Sequence, residues 1–159
     1  MEKCYHYSIK LKNKRIVSRE KERCDKKMIE VETFEKPVTK NNLPKLYVVK
    51  DANSILYVGI TCQSIASRLR GGFQAKGERG YYGYGWKDII TPLDLFIFCF
   101  EGEEHKEEYK KAETIEAELV YLIRKKTGNW PKNQTEIHFH NTKKEEYQSI
   151  IDSIYKKIK

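Results

Sequence analysis

The sequence predicts a small α/β (α+β) domain, with a central mixed or antiparallel β-sheet of three or more strands flanked by helices. Three observations carry this. Two apolar, β-branched runs, KLYVVK (45–50) and ILYVGI (55–60), flank the turn-forming DANS, the pattern of a hairpin with a four-residue loop. A third run, LDLFIFCF (93–100), is apolar almost throughout and reads as a buried central strand. Helical spacing of apolar residues then follows each of these units.

A chain of 159 residues makes one domain, 1–159, large enough for a core of its own. The net charge is +8, with 11 tyrosines. That balance favours a polyanionic partner, and tyrosines can stack on bases. No apolar run approaches the roughly 18 residues of a membrane span. MEKCYHYSIK, at the N-terminus, has no apolar segment after it of the kind a secretory signal needs. Cys4, Cys24, Cys62 and Cys99 show no close pairing, which points to a reduced, cytoplasmic setting. Cys4, His6 and Cys24 fit no standard zinc spacing.

Taken in order, residues 1–43 read as a basic N-terminal extension. YHYSIKL and MIEVETF have strand character, and the charged KNKRIVSREKERCDKK between them is loop, helix or arm. In the hairpin at 45–60, alternation puts Tyr47 and Val49 on one face, and likewise Tyr57 and Gly59. Residues 63–70 read as a short helix with Ile65, Ala66 and Leu69 inward, ended by Gly71 and Gly72. Residues 71–86 hold six glycines and three tyrosines and read as a flexible loop facing a nucleic acid.

A long helix is expected over 106–126, with Ala112, Ile115, Leu119, Leu122 and Ile123 as its apolar stripe. At about 100° per residue, Glu116 falls roughly 70° from the stripe centre, at the border of core and solvent. Glu118 falls roughly 90° away on the other flank and competes for the same role. Residues 135–139 suggest one more strand. Thr142 and Glu145 form a capping-box pattern before a last helix, 142–158.

The segment KLYVVKDANSILYVG followed by SRLR resembles the GIY-YIG nuclease family. KLY stands for the first motif triplet, with Lys45 replacing its glycine, and YVG for the second. The resemblance covers residues 44–136 and implies a GIY-YIG nuclease-like fold. It also implies a catalytic set. Tyr47 and Tyr57 match the two motif tyrosines, Gly59 the motif glycine, and Arg68 the helical arginine. Glu116 in EAELV matches the carboxylate, and Gln134 falls near the family's asparagine.

What the resemblance implies is a metal-dependent endonuclease that hydrolyses DNA phosphodiester bonds, of a type II restriction or defence kind. Glu116 would hold one Mg²⁺ or Mn²⁺, Arg68 the scissile phosphate, and Tyr47 would take a proton from the attacking water. Tyr57 would orient water or phosphate. Arg70, Lys76, Arg79, Tyr82, Tyr84, Lys87 and His138 would contact double-stranded DNA. Two strands need two sites, so a homodimer is expected. The competing reading is a catalytically degenerate module of the same fold that grips nucleic acid without cutting.

Overall fold

The computed structural model describes residues 3–102, 105–135 and 144–159. The expected strand at 135–139, His138 with it, and Thr142 of the capping box lie outside the described residues, apart from Thr135.

The fold is α+β. Six strands, β1 (Cys4–Lys12), β2 (Arg15–Glu22), β3 (Met28–Glu30), β4 (Lys45–Lys50), β5 (Ile55–Thr61) and β6 (Leu93–Cys99), form one sheet in the order β3-β2-β1-β6-β4-β5. Every pairing is antiparallel. The helices are α1 (Ile65–Gln74), α2 (His105–Thr127) and α3 (Gln148–Ile158), the last preceded by a 3-10 turn, Lys144–Glu146.

β6 runs between β1 and β4 and is largely buried on both faces, which is why its sequence is apolar but for Asp94. Leu93, Leu95 and Ile97 join Tyr7, Ile9, Tyr47 and Val49 under α1. Phe98 and Phe100 join Leu46, Val48 and Val58 under α2 and α3. The hairpin of β4 and β5 turns where expected. Asp51 Oδ1 accepts from the backbone N–H groups of Asn53 (2.8 Å) and Ser54 (2.7 Å), the local bonding that suits aspartate to turns.

Three features depart from the sequence reading. The first 43 residues supply half the strands of the sheet rather than an appendage. β2 carries RIVSREKE, whose charges hide its alternation, and it is held between β1 and β3. Lys45 is fully buried at the start of β4. Its ammonium donates to the carbonyls of Lys40 (2.7 Å), Leu43 (2.7 Å) and Gln63 (2.8 Å), one for each proton, which offsets the cost of burying the charge.

Finally, α1 does not stop at the glycine pair but continues to Gln74. Gly72 lies against the ring of Tyr84, where a Cβ would come 2.0 Å from Cε2. The glycine there is a packing requirement, not a stop signal. Gly72→Ala should lower stability by about 1–3 kcal/mol, the usual cost of overpacking. Gly71→Ala, with nothing within 4 Å of its Cβ, should raise stability by up to about 1 kcal/mol through helix propensity. Thermal melts of the two variants check the pair.

Candidate active site at the edge of the sheet

The site is assembled at the outer edge strand. Among the described strands, β5 has a neighbour on one side only. α1 covers one face of the sheet and α2 the other, so side chains from both helices can meet around this edge. Segment 131–134 runs along the open side. Lys132 N–H donates to Ile55 O (3.2 Å) and Asn133 N–H to Leu56 O (2.7 Å). Gln134 then clamps Val58 like a partner strand: its Oε1 accepts from Val58 N–H and its Nε2 donates to Val58 O, both at 3.0 Å. Gln134 thereby fixes the stretch of β5 that carries Tyr57 and Gly59.

Register places the tyrosines. Tyr47 pairs with Gly59 and Val49 with Tyr57, so all four lie on one face. Gly59 leaves room for the rings: a Cβ there would come 2.5 Å from Tyr57 Cε1 and 2.8 Å from Tyr47 Oη. The rings of Tyr47 and Tyr57 are 5.8 Å apart, and Tyr84 packs edge-on against both, at 6.4 and 5.4 Å. The hydroxyls of Tyr47 and Tyr84 are hydrogen-bonded at 2.7 Å.

Tyr47 has no exposed surface and Tyr84 only 3%, while Tyr57 is half-buried. The phenol that meets solvent is therefore Tyr57. Burial pushes Tyr47 well above the ordinary phenol range. Burial also raises Tyr57, while Arg68 pulls it back, Glu116 raises it further and a hydrogen bond from Tyr47 lowers it.

Arg68 projects from α1 toward the same face. Its guanidinium donates to the Tyr81 hydroxyl at 3.0 Å. It lies 5.4 Å from the centre of the Tyr84 ring and 5.8 Å from that of Tyr81. Burial opposes its charge, the phenol oxygens of Tyr47, Tyr84 and Tyr81 favour it, and its pKa is raised overall. Guanidinium is cationic at any working pH.

Glu116 reaches the site from α2. Burial pushes its carboxyl up to about 8, with Glu113 raising it further and Arg68 lowering it. Glu118 lies instead beside Tyr121, Leu122, Lys125 and the α3 residues Gln148 and Ile151, where it lines a separate cavity. The structure thus brings Tyr47, Tyr57, Arg68 and Glu116 together and leaves Glu118 on another flank of the same helix.

A desolvated carboxylate facing partly open space suits a divalent cation that keeps most of its own waters. Among the described residues, no group of three or more His, Cys, Asp or Glu side chains could hold a metal. The donor set fits hydrated Mg²⁺ or Mn²⁺ on one carboxylate, not zinc. His6 is engaged elsewhere: its ring stacks on Phe96 and its Nε2 is 2.8 Å from Asp94 Oδ1.

The expected DNA-contacting set divides. Arg70, Lys76, Arg79 and Tyr82 are exposed. Tyr84 is buried, so its ring is closed to base stacking, and Trp86 is buried beside it, ring centres 4.6 Å apart. Tyr84 and Trp86 thus anchor segment 71–86, in which residues 76–82 are mostly exposed. Lys87 holds that segment down by donating to Ala75 O (3.2 Å) and Tyr82 O (2.7 Å). Tyr81, which the sequence did not single out, and Tyr84, expected on the DNA-contacting surface, complete the shell around Arg68. Their only signal was the density of aromatics and glycines after the helix.

No protein-family model matches the chain, and no curated protein or solved structure is significantly similar to it. No helix among the described residues is long and apolar enough to cross a membrane.

Proposed function

We propose that this protein is a divalent-metal-dependent endonuclease that hydrolyses phosphodiester bonds of double-stranded DNA, in a restriction or defence role. The supporting observation is the meeting of Arg68, Tyr57 and the desolvated Glu116 at one edge of the sheet, in a chain of net charge +8. Arg68 grips the scissile phosphate, its planar fork matching phosphate oxygens. Tyr57, the half-buried phenol, orients the attacking water. Tyr47 and Tyr84 hold Tyr57 and Arg68 in place through their shared hydrogen bond. Glu116 would hold Mg²⁺ or Mn²⁺, a cation that would supply water activation and charge neutralisation at the phosphate.

The protonation of Glu116 gives this reading a pH signature. An unfolded glutamate ionises near its ordinary value of 4.5, whereas the folded carboxyl keeps its proton up to about 8. The folded state binds more protons in that window, so this group's contribution to stability falls as pH rises from about 4.5 to 8. A cation must displace that proton. The rise in melting temperature caused by Mg²⁺ should therefore be small at pH 6 and grow toward pH 8.5. In Glu116→Gln it should be absent at both.

Tyr47→Phe separates holding from chemistry. It deletes the hydroxyl that faces Tyr84, as Tyr84→Phe does from the other side. If the pair acts by positioning, both variants should lose activity to a similar degree, about tenfold or more. A much larger loss in Tyr47→Phe alone would restore Tyr47 as the group that takes the proton.

One observation favours a second reading, a binding module without cleavage. Tyr47 is fully enclosed and its phenol raised, the opposite of what a base at neutral pH requires. Supercoiled plasmid incubated with the protein, with and without Mg²⁺, divides the readings. Metal-dependent nicking or linearisation supports the nuclease. Retardation on the gel without cutting supports the module.

A further inference from the structure

The N-terminal hairpin and α1 enclose a cavity of about 310 Å³ on the flank of the helix away from Arg68. Lys14, Arg15, Arg19 and Arg70 line it, and no acidic side chain does. Ile16, Phe34, Ala66, Leu69 and Phe73 give it an apolar wall, with Gln74 polar at the rim. Arg19 lies over the Phe34 ring, 4.3 Å from its centre. Its Nη1 donates to Glu32 O, and its Nε–H is buried with no hydrogen-bond partner among the described residues. Lys14 also lines the adjoining cavity with Lys12 and Lys87, where Asp88 is the one acidic neighbour. The hairpin tip thus stands between two cationic recesses.

We propose that this cavity seats a phosphate–sugar unit of the DNA backbone outside the cleaved bond, so that the hairpin of β1 and β2 acts as a clamp on flanking DNA. The proposal rests on the nuclease reading for the identity of the strand. Four cations without a counter-carboxylate suit a phosphodiester, and the apolar wall suits the deoxyribose beside it. The size suits one such unit rather than a duplex, being at the small end of the roughly 300–1,000 Å³ of ligand sites. Arg68 and Arg70 leave α1 on nearly opposite sides. The seated phosphate is therefore a different one from that held at Arg68.

The test is equilibrium binding of a fluorescent DNA duplex across a salt series, without Mg²⁺ so that nothing is cut. Arg15→Ala with Arg70→Ala should reduce the steepness of log K against log salt by about one, since the cavity seats one phosphate and each phosphate contact contributes about 0.9. Gln74→Trp, from the exposed rim, should fill the cavity without changing charge. It should weaken binding about tenfold with the slope lowered as well. Ala66→Phe fills it from the wall and provides a second obstruction if the first side chain swings outward. Parental affinity and slope in the filled variants would overturn the clamp, even if the arginine variants bind less well, because the cations would then only touch passing backbone. Binding losses in a protein that never cuts would support the clamp and remove the nuclease. Cutting by a protein whose filled variants bind normally would do the reverse.

Discussion

Glu116→Gln should abolish cleavage while leaving DNA affinity equal or higher. The substitution keeps the shape and packing of the side chain but removes the carboxylate that would hold the cation. Neither water activation nor charge neutralisation on the phosphate can then proceed. Above about pH 8, where the carboxyl is ionised, a negative group facing the DNA backbone is also lost, which favours binding. The fold should not suffer. Its carboxyl is one that the folded protein holds in the protonated form up to about pH 8, and glutamine mimics that form. Glu118→Gln is the matched control. Glu118 lines the cavity beside α3, so this variant should cut like the parent. The reverse result, with Glu118→Gln dead and Glu116→Gln active, would mean that the carboxylate has been misassigned.

Arg68→Ala should slow turnover by about 10²–10³, the usual loss when one preorganised charge-stabilising donor is removed. No other described cation is packed among Tyr57, Tyr81 and Tyr84 as Arg68 is, so none can take over from the same position. Arg68→Lys should recover only part of the rate. An ammonium keeps the charge but not the fork that matches two phosphate oxygens. Affinity for DNA should fall little in either variant, because the broad basic surface supplies most of the non-specific attraction. Single-turnover rates at saturating protein separate the two effects.

What the sequence made legible was local. The hairpin is read from adjacent runs and a four-residue turn, and alternation alone put Tyr47, Val49, Tyr57 and Gly59 on one face, as the register has them. The apolar stripe of α2 located Glu116 at the border of the core for the same reason: both facts depend on a short repeat. Pairings between distant segments left no such trace. Nothing in YHYSIKL says that it lies against β6, more than eighty residues later. The charges of β2 masked a strand that pairs with β1 on one side and β3 on the other. Tyr84 and Trp86 illustrate the same limit from the core side. In a glycine-rich stretch they read as exposed aromatics, but Gly72 opens a seat for Tyr84 on α1. Lys45 is charged and read as a mere departure from the motif. Three carbonyls converging from residues 40, 43 and 63 make it part of the core, an arrangement that only the folded chain creates.

The most direct test of the nuclease is single-turnover cleavage of supercoiled plasmid by the parent chain and Glu116→Gln, purified side by side, with Mg²⁺ present and binding matched. The account predicts that the parent nicks or linearises the plasmid while Glu116→Gln binds it intact. Equal cutting by both, or none by the parent under conditions where it binds, would contradict it.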